Sequence, residues 1–245
     1  MNSQFKKDTL FSQPMDELVD FSFDEKTVSV FPDMINRSVP GYSLMQSLTG
    51  LVASNMVTPD SRVYDLGCSL GASSLAVLNS VEHHAYELIL VDQSQPMISH
   101  CEQLLKTSQH RVKTRFVMCD LRDVEINNAS LVLLNLVLQF LPVCDRQSCI
   151  NDIYDGLSEN GALLISEKIQ AQNQSEQQIV DKLYLDFKKR SGYSDLEISQ
   201  KRQALENVMR PETLADHRGR LKKAGFSTIL TLMQALNFVT LLAIK

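Results

Sequence analysis

Short β-rich runs alternate with longer helical patterns between residues 61 and 166, and this alternation constrains the fold more than any other feature. Five runs are candidate strands: RVYDL (62–66), ELILVD (87–92), TRFVMCD (114–120), SLVLLNL (130–136) and GALLISEK (161–168). Strands that alternate with helices form βαβ units with a parallel sheet. Right-handed crossovers place the loops that follow these strands at one edge of the sheet. The sequence therefore predicts an α/β protein whose chemistry lies at that edge.

Helical patterns fill the spaces between these strands and most of the stretch from 169 to 224. The three candidate helices inside the alternating region are Gly71–Asn79, Ser94–Thr107 and Asp145–Leu157. Ser94 is a suitable N-cap and Pro96 suits a first turn. The later helical stretch breaks at Ser191-Gly192, and two closing runs, FSTILTLMQ and LNFVTLLAIK, are typical of an antiparallel pair. These patterns predict a mostly parallel, seven-stranded sheet with helices on both faces.

The segment 1–60 precedes the first candidate strand and has a helical pattern from Ser43 to Asn55. We expect it to form a helical N-terminal lid that packs on the core and covers the crevice. The remaining residues, 61–245, are expected to form the ligand-binding domain. A chain of 245 residues fits one such core, because α/β sheets commonly exceed about 200 residues before they divide into domains.

Composition argues against several classes of protein. A formal net charge of −5 is unlike that of nucleic-acid-binding surfaces, which concentrate Lys and Arg on one face. The five cysteines are odd in number and form no CxxC pair, so we expect neither disulfides nor a metal site. The N-terminus has no secretory signal pattern, and the apolar stretch 131–141 is shorter than the roughly 20 residues of a membrane span. A cytoplasmic protein is expected.

The most specific motif is the run from Asp65 to Gly71, DLGCSLG, which follows a strand and opens a helix. Gly67 permits a tight turn near a ligand, Gly71 permits close packing of the helix, and the intervening amides can point at a polar ligand group. A plain βα turn is an equally good explanation of such a motif in isolation. Ser69 replaces the second glycine of the dinucleotide fingerprint, which disfavours NAD.

Three polar residues end the next strands. Asp92 is placed to accept hydrogen bonds from ribose hydroxyls, Asp120 to bind an adenine amino group, and Asn135 to reach a bound cofactor. Each also has a purely structural explanation as a helix cap, a turn residue or a buried amide. Their accumulation with Gly67 at four successive strand ends favours a binding site.

This DxGxxxG turn, with acidic residues ending the next two strands, resembles the class I S-adenosylmethionine-dependent methyltransferases over about 60 to 245. The resemblance implies a Rossmann-like methyltransferase fold and S-adenosyl-L-methionine binding. It does not identify a second substrate, because that superfamily acts on many kinds of molecule.

Segments outside this core resemble a narrower family, the carboxy-S-adenosyl-L-methionine synthases. They are DTLFS (8–12), FDEKTVSVFPDMINRSVPGY (23–42), VYDLGCSLGASSL (63–75), LNLVLQFL (134–141) and GYSDLEISQKRQALENVM (192–209). The resemblance implies conversion of S-adenosyl-L-methionine and prephenate to carboxy-S-adenosyl-L-methionine and phenylpyruvate, for wobble uridine modification in tRNA. It also implies a homodimer with contacts around 176–208, and allows transient contact with the tRNA carboxymethyltransferase that uses the product.

The same resemblance assigns residues position by position. Those implied to bind the cofactor are Tyr42, Gly67, Cys68, Ser69, Asp92, Gln93, Asp120, Leu121, Asn135 and Arg202. Some family members have Asn at the position of Gln93 and Ile at that of Leu121. The resemblance, and not spacing, selects Arg202 to hold the new carboxylate, since KRQALEN otherwise reads as a solvated helix face. Tyr42, Tyr193 and Arg37 are expected at the substrate end.

The implied chemistry does not require a protein base. Prephenate loses carbon dioxide and hydroxide as its ring becomes aromatic, the hydroxide deprotonates the sulfonium methyl group, and the resulting carbanion captures the carbon dioxide. Two alternatives stay open: a conventional small-molecule methyltransferase, and a non-catalytic nucleotide-binding module that serves a tRNA-modifying partner. The mass of the cofactor product separates them.

Overall fold

The structure is a computed structural model that describes residues 6–15, 19–108 and 110–245. Its helices are α1 (Glu25–Ser38), α2 (Tyr42–Met56), α3 (Ala72–Ser80), α4 (Gln95–Thr107), α5 (Arg146–Gly156), α6 (Gln174–Arg190), α7 (Asp195–Glu206) and α8 (Leu214–Ala224). Its strands are β1 (Ser61–Leu66), β2 (Tyr86–Asp92), β3 (Lys113–Met118), β4 (Ala129–Asn135), β5 (Leu157–Gln170), β6 (Glu212–Thr213), β7 (Thr228–Ala235) and β8 (Phe238–Ile244).

Seven strands form the main sheet in the order β3-β2-β1-β4-β5-β8-β7. The first five are parallel, whereas β8 runs antiparallel to both β5 and β7. The two-residue β6 pairs with the end of β5 outside this path. The predicted mostly parallel, seven-stranded sheet with an antiparallel end is therefore confirmed.

β5 differs most from the sequence prediction, because it begins at Leu157 and not at Gly161. The pairing of β4 with β5 shifts register between Ala129 and Leu131. At this irregularity a Cβ atom on Gly161 would lie 2.7 Å from the carbonyl oxygen of Ala129. The sequence around Asn160 and Gly161 resembles a turn, but here it accommodates a bulge inside a long strand.

Side chains that cap helix ends fix the start of several elements. Ser94 caps α4 as predicted, accepting a bond from the backbone of Met97, with Pro96 in the first turn. Ser194 and Glu197 form a capping box at the start of α7. The predicted break between α6 and α7 is confirmed at Gly192, whose φ of 88° suits glycine.

The central strands are buried on both faces, which explains their nearly continuous apolar runs. Successive residues alternate between two apolar clusters. One face carries Tyr64, Ile89, Val132, Leu163 and Leu241 with α5 and α8; the other carries Val63, Leu88, Leu131, Leu164 and Leu242 with α2, α3 and α4. Helices on both faces are thus confirmed. No helix among the described residues has the length and apolar character needed to cross a membrane.

The N-terminal segment is bonded to α7, although the two lie far apart in sequence. Gln200 donates from its side-chain nitrogen to the carbonyl oxygens of Phe11 and Gln13, at 2.9 Å each. The backbone amide of Phe21 donates to the carbonyl oxygen of Ala204 at 2.9 Å. α1 continues this segment and packs against α4. Motion of residues 1–60 as a lid stays a prediction.

Candidate active site

A cavity of about 850 Å³ opens at the carboxyl ends of β1, β2 and β4 and at the turn after β3. The segment 21–24, α1 and α2 cover it from the N-terminal side. Its volume lies within the range of about 300–1,000 Å³ that is typical of small-molecule sites. The edge that the crossover rule predicts to carry the chemistry therefore has the space to bind a ligand.

The turn after β1 requires glycine at two positions. Gly67 has a φ of 73°, and a Cβ atom there would lie 2.5 Å from a methyl group of Val137. Gly71 has a φ of 81°, and its Cβ atom would lie 2.6 Å from the sulfur of Cys101 on α4. Ser69 also has a positive φ, of 49°. The turn is thus a strained, closely packed segment at the wall of the cavity.

The amides of this turn correct one sequence-based prediction. Those of Gly67 and Cys68 donate to the carbonyl oxygen of Val91, and that of Ser69 donates to Asp92. They hold the turn against β2, so the amides of Cys68 and Ser69 do not point at a ligand as expected. At Gly67 the turn presents a surface without a side chain to the cavity.

Asp92 ends β2 with its carboxylate at the cavity. One oxygen accepts the amide of Ser69 at 2.8 Å and the other accepts that of Ser94 at 2.9 Å. Each oxygen keeps a further lone pair for a ligand hydroxyl. Burial raises the pKa of Asp92, and the two amides oppose that effect. The adjacent Gln93 also lines the cavity.

Two further acidic and phenolic groups line the floor. Asp65 is buried and accepts a 2.6 Å bond from the hydroxyl of Ser74. Burial raises the pKa of Asp65 to about 6. Burial likewise raises the pKa of Tyr42, at the start of α2, to about 12. Tyr42 is therefore a neutral hydroxyl at neutral pH, as a hydrogen-bond donor to a carboxylate should be.

Asp120 caps the turn after β3, which is the structural explanation that the sequence left open, and it also lines the cavity. One of its oxygens accepts the backbone amide of Arg122 at 2.9 Å, and the other pairs with the Arg122 guanidinium at 2.7 Å. Arg122 lowers the pKa of Asp120. Leu121 lines the cavity beside it. The adenine contact proposed for Asp120 stays a prediction.

Asn135 ends β4, and only one of the two polar atoms of its side-chain amide has a hydrogen-bond partner among the described residues. Its nitrogen donates to the hydroxyl of Ser73 at 3.0 Å, while its buried oxygen has no partner among the described residues. The next residue, Leu136, has a φ of 63°, an uncommon conformation for leucine. A buried acceptor without a partner beside strained backbone is typical of a ligand site.

Glu167 supports the wall from behind, and sequence reasoning missed it. Its buried carboxylate accepts the amides of Val137, Leu138 and Gln139 at 3.1, 2.7 and 3.0 Å. Burial raises the pKa of Glu167 to about 8, although these three donors act in the opposite direction. In the sequence, the one sign of this role was a Glu that follows apolar residues near the end of a predicted strand.

Arg37 and Tyr193 do not line the cavity, contrary to their expected place at its substrate end. The Tyr193 hydroxyl donates to the buried carboxylate of Asp8 at 2.6 Å, and Lys201 lies 3.4 Å from the same carboxylate oxygen. The Arg37 guanidinium lies 3.8 Å from the centroid of the Tyr193 ring. Asp8 already satisfies the Tyr193 hydroxyl, which is why this pair forms a buried network beside the cavity.

Arg202 also lies outside the cavity wall, on an exposed position of α7. The other nine residues that the family resemblance assigns to cofactor binding all line it. Within the described ranges, no three His, Cys, Asp or Glu side chains are grouped to hold a metal ion.

Comparisons with known sequences match the whole chain. The sequence model of the methyltransferase domain family matches residues 63–161. A carboxy-S-adenosyl-L-methionine synthase of Shewanella loihica is 46% identical over 245 residues, which cover 100% of both chains. Another, from Actinobacillus pleuropneumoniae serotype 5b, is 46% identical over 239 residues, covering 98% of this chain and 99% of the relative.

Solved structures are similar at much lower identity. An O-methyltransferase family protein from Burkholderia thailandensis has a TM-score of 0.67 at 14% identity, covering 91% of this chain and 60% of that chain. Magnesium protoporphyrin IX methyltransferase from Synechocystis PCC 6803, solved with bound SAH, has a TM-score of 0.58 at 15% identity, covering 83% and 82%. These similarities confirm the Rossmann-like methyltransferase fold.

Proposed function

We infer, from the premise that this chain belongs to the carboxy-S-adenosyl-L-methionine synthase family, that it makes carboxy-S-adenosyl-L-methionine and phenylpyruvate from S-adenosyl-L-methionine and prephenate. The observation that carries this proposal is the convergence of nine family-assigned residues on one cavity. The product would serve wobble uridine modification of tRNA in the cytoplasm.

The cavity residues fit S-adenosyl-L-methionine as a substrate. The free lone pairs of Asp92 would accept the ribose hydroxyls, and the surface without a side chain at Gly67 leaves room for the ligand to approach. Asp120 would hold the adenine amino group and Asn135 would use its unpaired oxygen as an acceptor. None of these roles involves proton transfer.

The reaction places few demands on the protein. The hydroxide that leaves prephenate removes a proton from the sulfonium methyl group and becomes water. The carbon dioxide that leaves prephenate forms the new carbon–carbon bond. The protein must therefore hold two substrates together and exclude bulk water, which is a positioning role. The aromatic residues Phe21, Phe23 and Phe31, which line the N-terminal side of the cavity, would serve this exclusion.

Arg202 would bind the new carboxylate through its guanidinium fork. Its exposed place on α7 supports a role across a homodimer, in the neighbouring subunit's cavity. The apolar side chains that α6 and α7 expose, Ile179, Leu183, Leu185 and Leu196, support a contact with a second copy on this side. Transient contact with the tRNA carboxymethyltransferase would follow product formation.

Mass spectrometry with labelled substrates tests the reaction. Purified protein is incubated with S-adenosyl-L-methionine that carries a trideuterated methyl group, together with prephenate or, as a control, phenylpyruvate. We expect a product that is one carbon dioxide heavier and keeps two deuterium atoms, only with prephenate. Transfer of all three deuterium atoms to another molecule would instead identify a conventional methyltransferase, and unchanged S-adenosyl-L-methionine would favour a binding module.

A further inference from the structure

Two lysines meet at one tyrosine ring outside the cavity wall. The ammonium groups of Lys168, on β5, and Lys188, on α6, lie 4.9 and 4.8 Å from the centroid of the Tyr184 ring. Lys188 is only 8% exposed, and it is the one buried residue among the described positions of α6. Burial of a lysine is unusual and requires an explanation.

Neither lysine forms an ion pair with a carboxylate in the described part of the chain. Neighbouring lysines do: Lys201 lies 3.4 Å from Asp8, and Lys189 lies 2.6 Å from Asp195. Two ammonium groups beside an aromatic ring gain some cation–π stabilisation, but this interaction does not replace a counterion at a desolvated site. The local charge balance is therefore positive.

The electrostatic surroundings agree with this geometry. Burial, and then the charges of Lys201, Lys168 and Arg202, lower the pKa of Lys188 to about 7. Burial also lowers the pKa of Lys168, and Asp181 opposes that effect. A bound anion would reverse these effects by favouring the charged form of both lysines.

Hydrogen bonds join the elements that carry the lysine pair to two segments, the turn after β4 and the end of α1, in which other residues line the cavity. The backbone amide of Lys168 donates to the side-chain oxygen of Gln139 at 3.3 Å, and the following residue, Phe140, lines the cavity. The Tyr184 hydroxyl donates to the carbonyl oxygen of Ser38, at the end of α1, at 2.8 Å. The pair thus adjoins the two segments that bound one side of the site.

We propose that Lys168 and Lys188 form a carboxylate subsite that holds one carboxylate of the second substrate. The proposal rests on the proposed function, which supplies a substrate with two carboxylates. Lysine is a suitable partner because its ammonium group is a compact charge with three donors.

Binding of prephenate to protein loaded with S-adenosylhomocysteine tests the subsite without turnover, because this ligand has no sulfonium methyl group. Calorimetric titration compares the wild type with Lys188→Met, Lys168→Met and the matched control Lys189→Met, which changes an exposed neighbour. We expect dissociation constants for prephenate to rise about 10- to 100-fold in the first two variants, as for the loss of a charge-assisted hydrogen bond. The control should bind as the wild type does.

The dissociation constant for S-adenosylhomocysteine should be unchanged in all three variants, which also establishes that they fold. Unchanged prephenate binding in Lys188→Met and Lys168→Met would overturn the subsite. If the variants with unchanged binding also have an altered oligomeric state, the lysines instead face carboxylates of a second copy. If the wild type binds prephenate through these lysines but forms no carboxylated product, the proposed function fails and the subsite stands. If the wild type forms carboxylated product but prephenate binding is unchanged in Lys188→Met and Lys168→Met, the proposed function stands and the subsite fails.

Discussion

Replacement of Lys188 by Met should stabilise the free protein at neutral pH. Met has a similar length, carries no charge and packs well in irregular spaces. Lys188 is buried at the Tyr184 ring with no carboxylate partner among the described residues, and the positive charges of Lys201, Lys168 and Arg202 act on it. The wild-type side chain thus keeps a charge, or gives up a proton, at a cost that Met avoids.

The size of the effect follows from the pKa. A pKa lowered from 10.5 to about 7 corresponds to a cost on the order of 4 kcal/mol when the unfolded lysine is fully charged. The folded pKa lies below the unfolded pKa, so between about pH 7 and pH 10.5 the unfolded state binds more protons. The unfolding free energy of the wild type should therefore rise with pH across this window. Lys188→Met should exceed the wild type by about 2–4 kcal/mol at pH 7, and the difference should fall below about 1 kcal/mol at pH 10.

Urea unfolding at a fixed protomer concentration, at intervals from pH 6.5 to 10, measures this difference. Lys189→Met, which removes an exposed lysine paired with Asp195, should show little change at any pH. Subtraction of the wild-type curve removes the titration of other groups. A difference that does not vary with pH, or a variant less stable than the wild type at pH 7, would refute the reasoning about a desolvated charge.

Four further substitutions test the site. Gly67→Ala should destabilise the fold by about 1–3 kcal/mol and abolish S-adenosyl-L-methionine binding; a stable variant with normal calorimetric binding would contradict the close packing at this turn. Asp92→Asn should weaken S-adenosyl-L-methionine at least about tenfold in equilibrium dialysis, and undiminished affinity would remove it from the ribose site. Arg202→Ala should keep S-adenosyl-L-methionine binding and lose most carboxylated product by mass spectrometry; normal turnover would exclude Arg202. Glu167→Gln should cost about 1–3 kcal/mol in thermal unfolding, because one backbone amide would face another donor, and an unchanged melting temperature would show that the turn needs no carboxylate.

The part of the site that sequence predicts is the part built from consecutive residues. Asp92, Asp120 and Asn135 are identifiable because strands of a parallel sheet end at one edge, so their position follows from periodicity alone. The glycine turn adds a local motif of the same kind. The prediction for the amides of Cys68 and Ser69 was wrong because the competing acceptors, the carbonyl oxygen of Val91 and the carboxylate of Asp92, lie on a neighbouring strand.

The remainder depends on contacts between distant segments, which no local pattern encodes. Lys188 lies in a run of charged residues, LDFKKR, that is typical of a solvated helix, and its burial arises only when α6 meets β5 and α7. Tyr193 and Arg37 reach Asp8 instead of the cavity, and Asp8 lies 185 residues from Tyr193. Glu167 is needed because the turn after β4 presents three amides without other partners.

The bonds between the N-terminal segment and α7 join the cover of the cavity to the helix that carries Arg202. The carbonyl oxygens of residues 11 and 13 accept bonds from the Gln200 side chain, and the amide of residue 21 donates to the backbone of α7. α1, which lines the cavity, follows within a few residues. A rotation of α7 would therefore strain the hydrogen bonds that join this helix to the segment covering the cavity. If Arg202 holds a carboxylate in a neighbouring cavity, the helix that carries it is thus bonded to the segment of its own subunit whose residues Phe21 and Phe23 line the cavity.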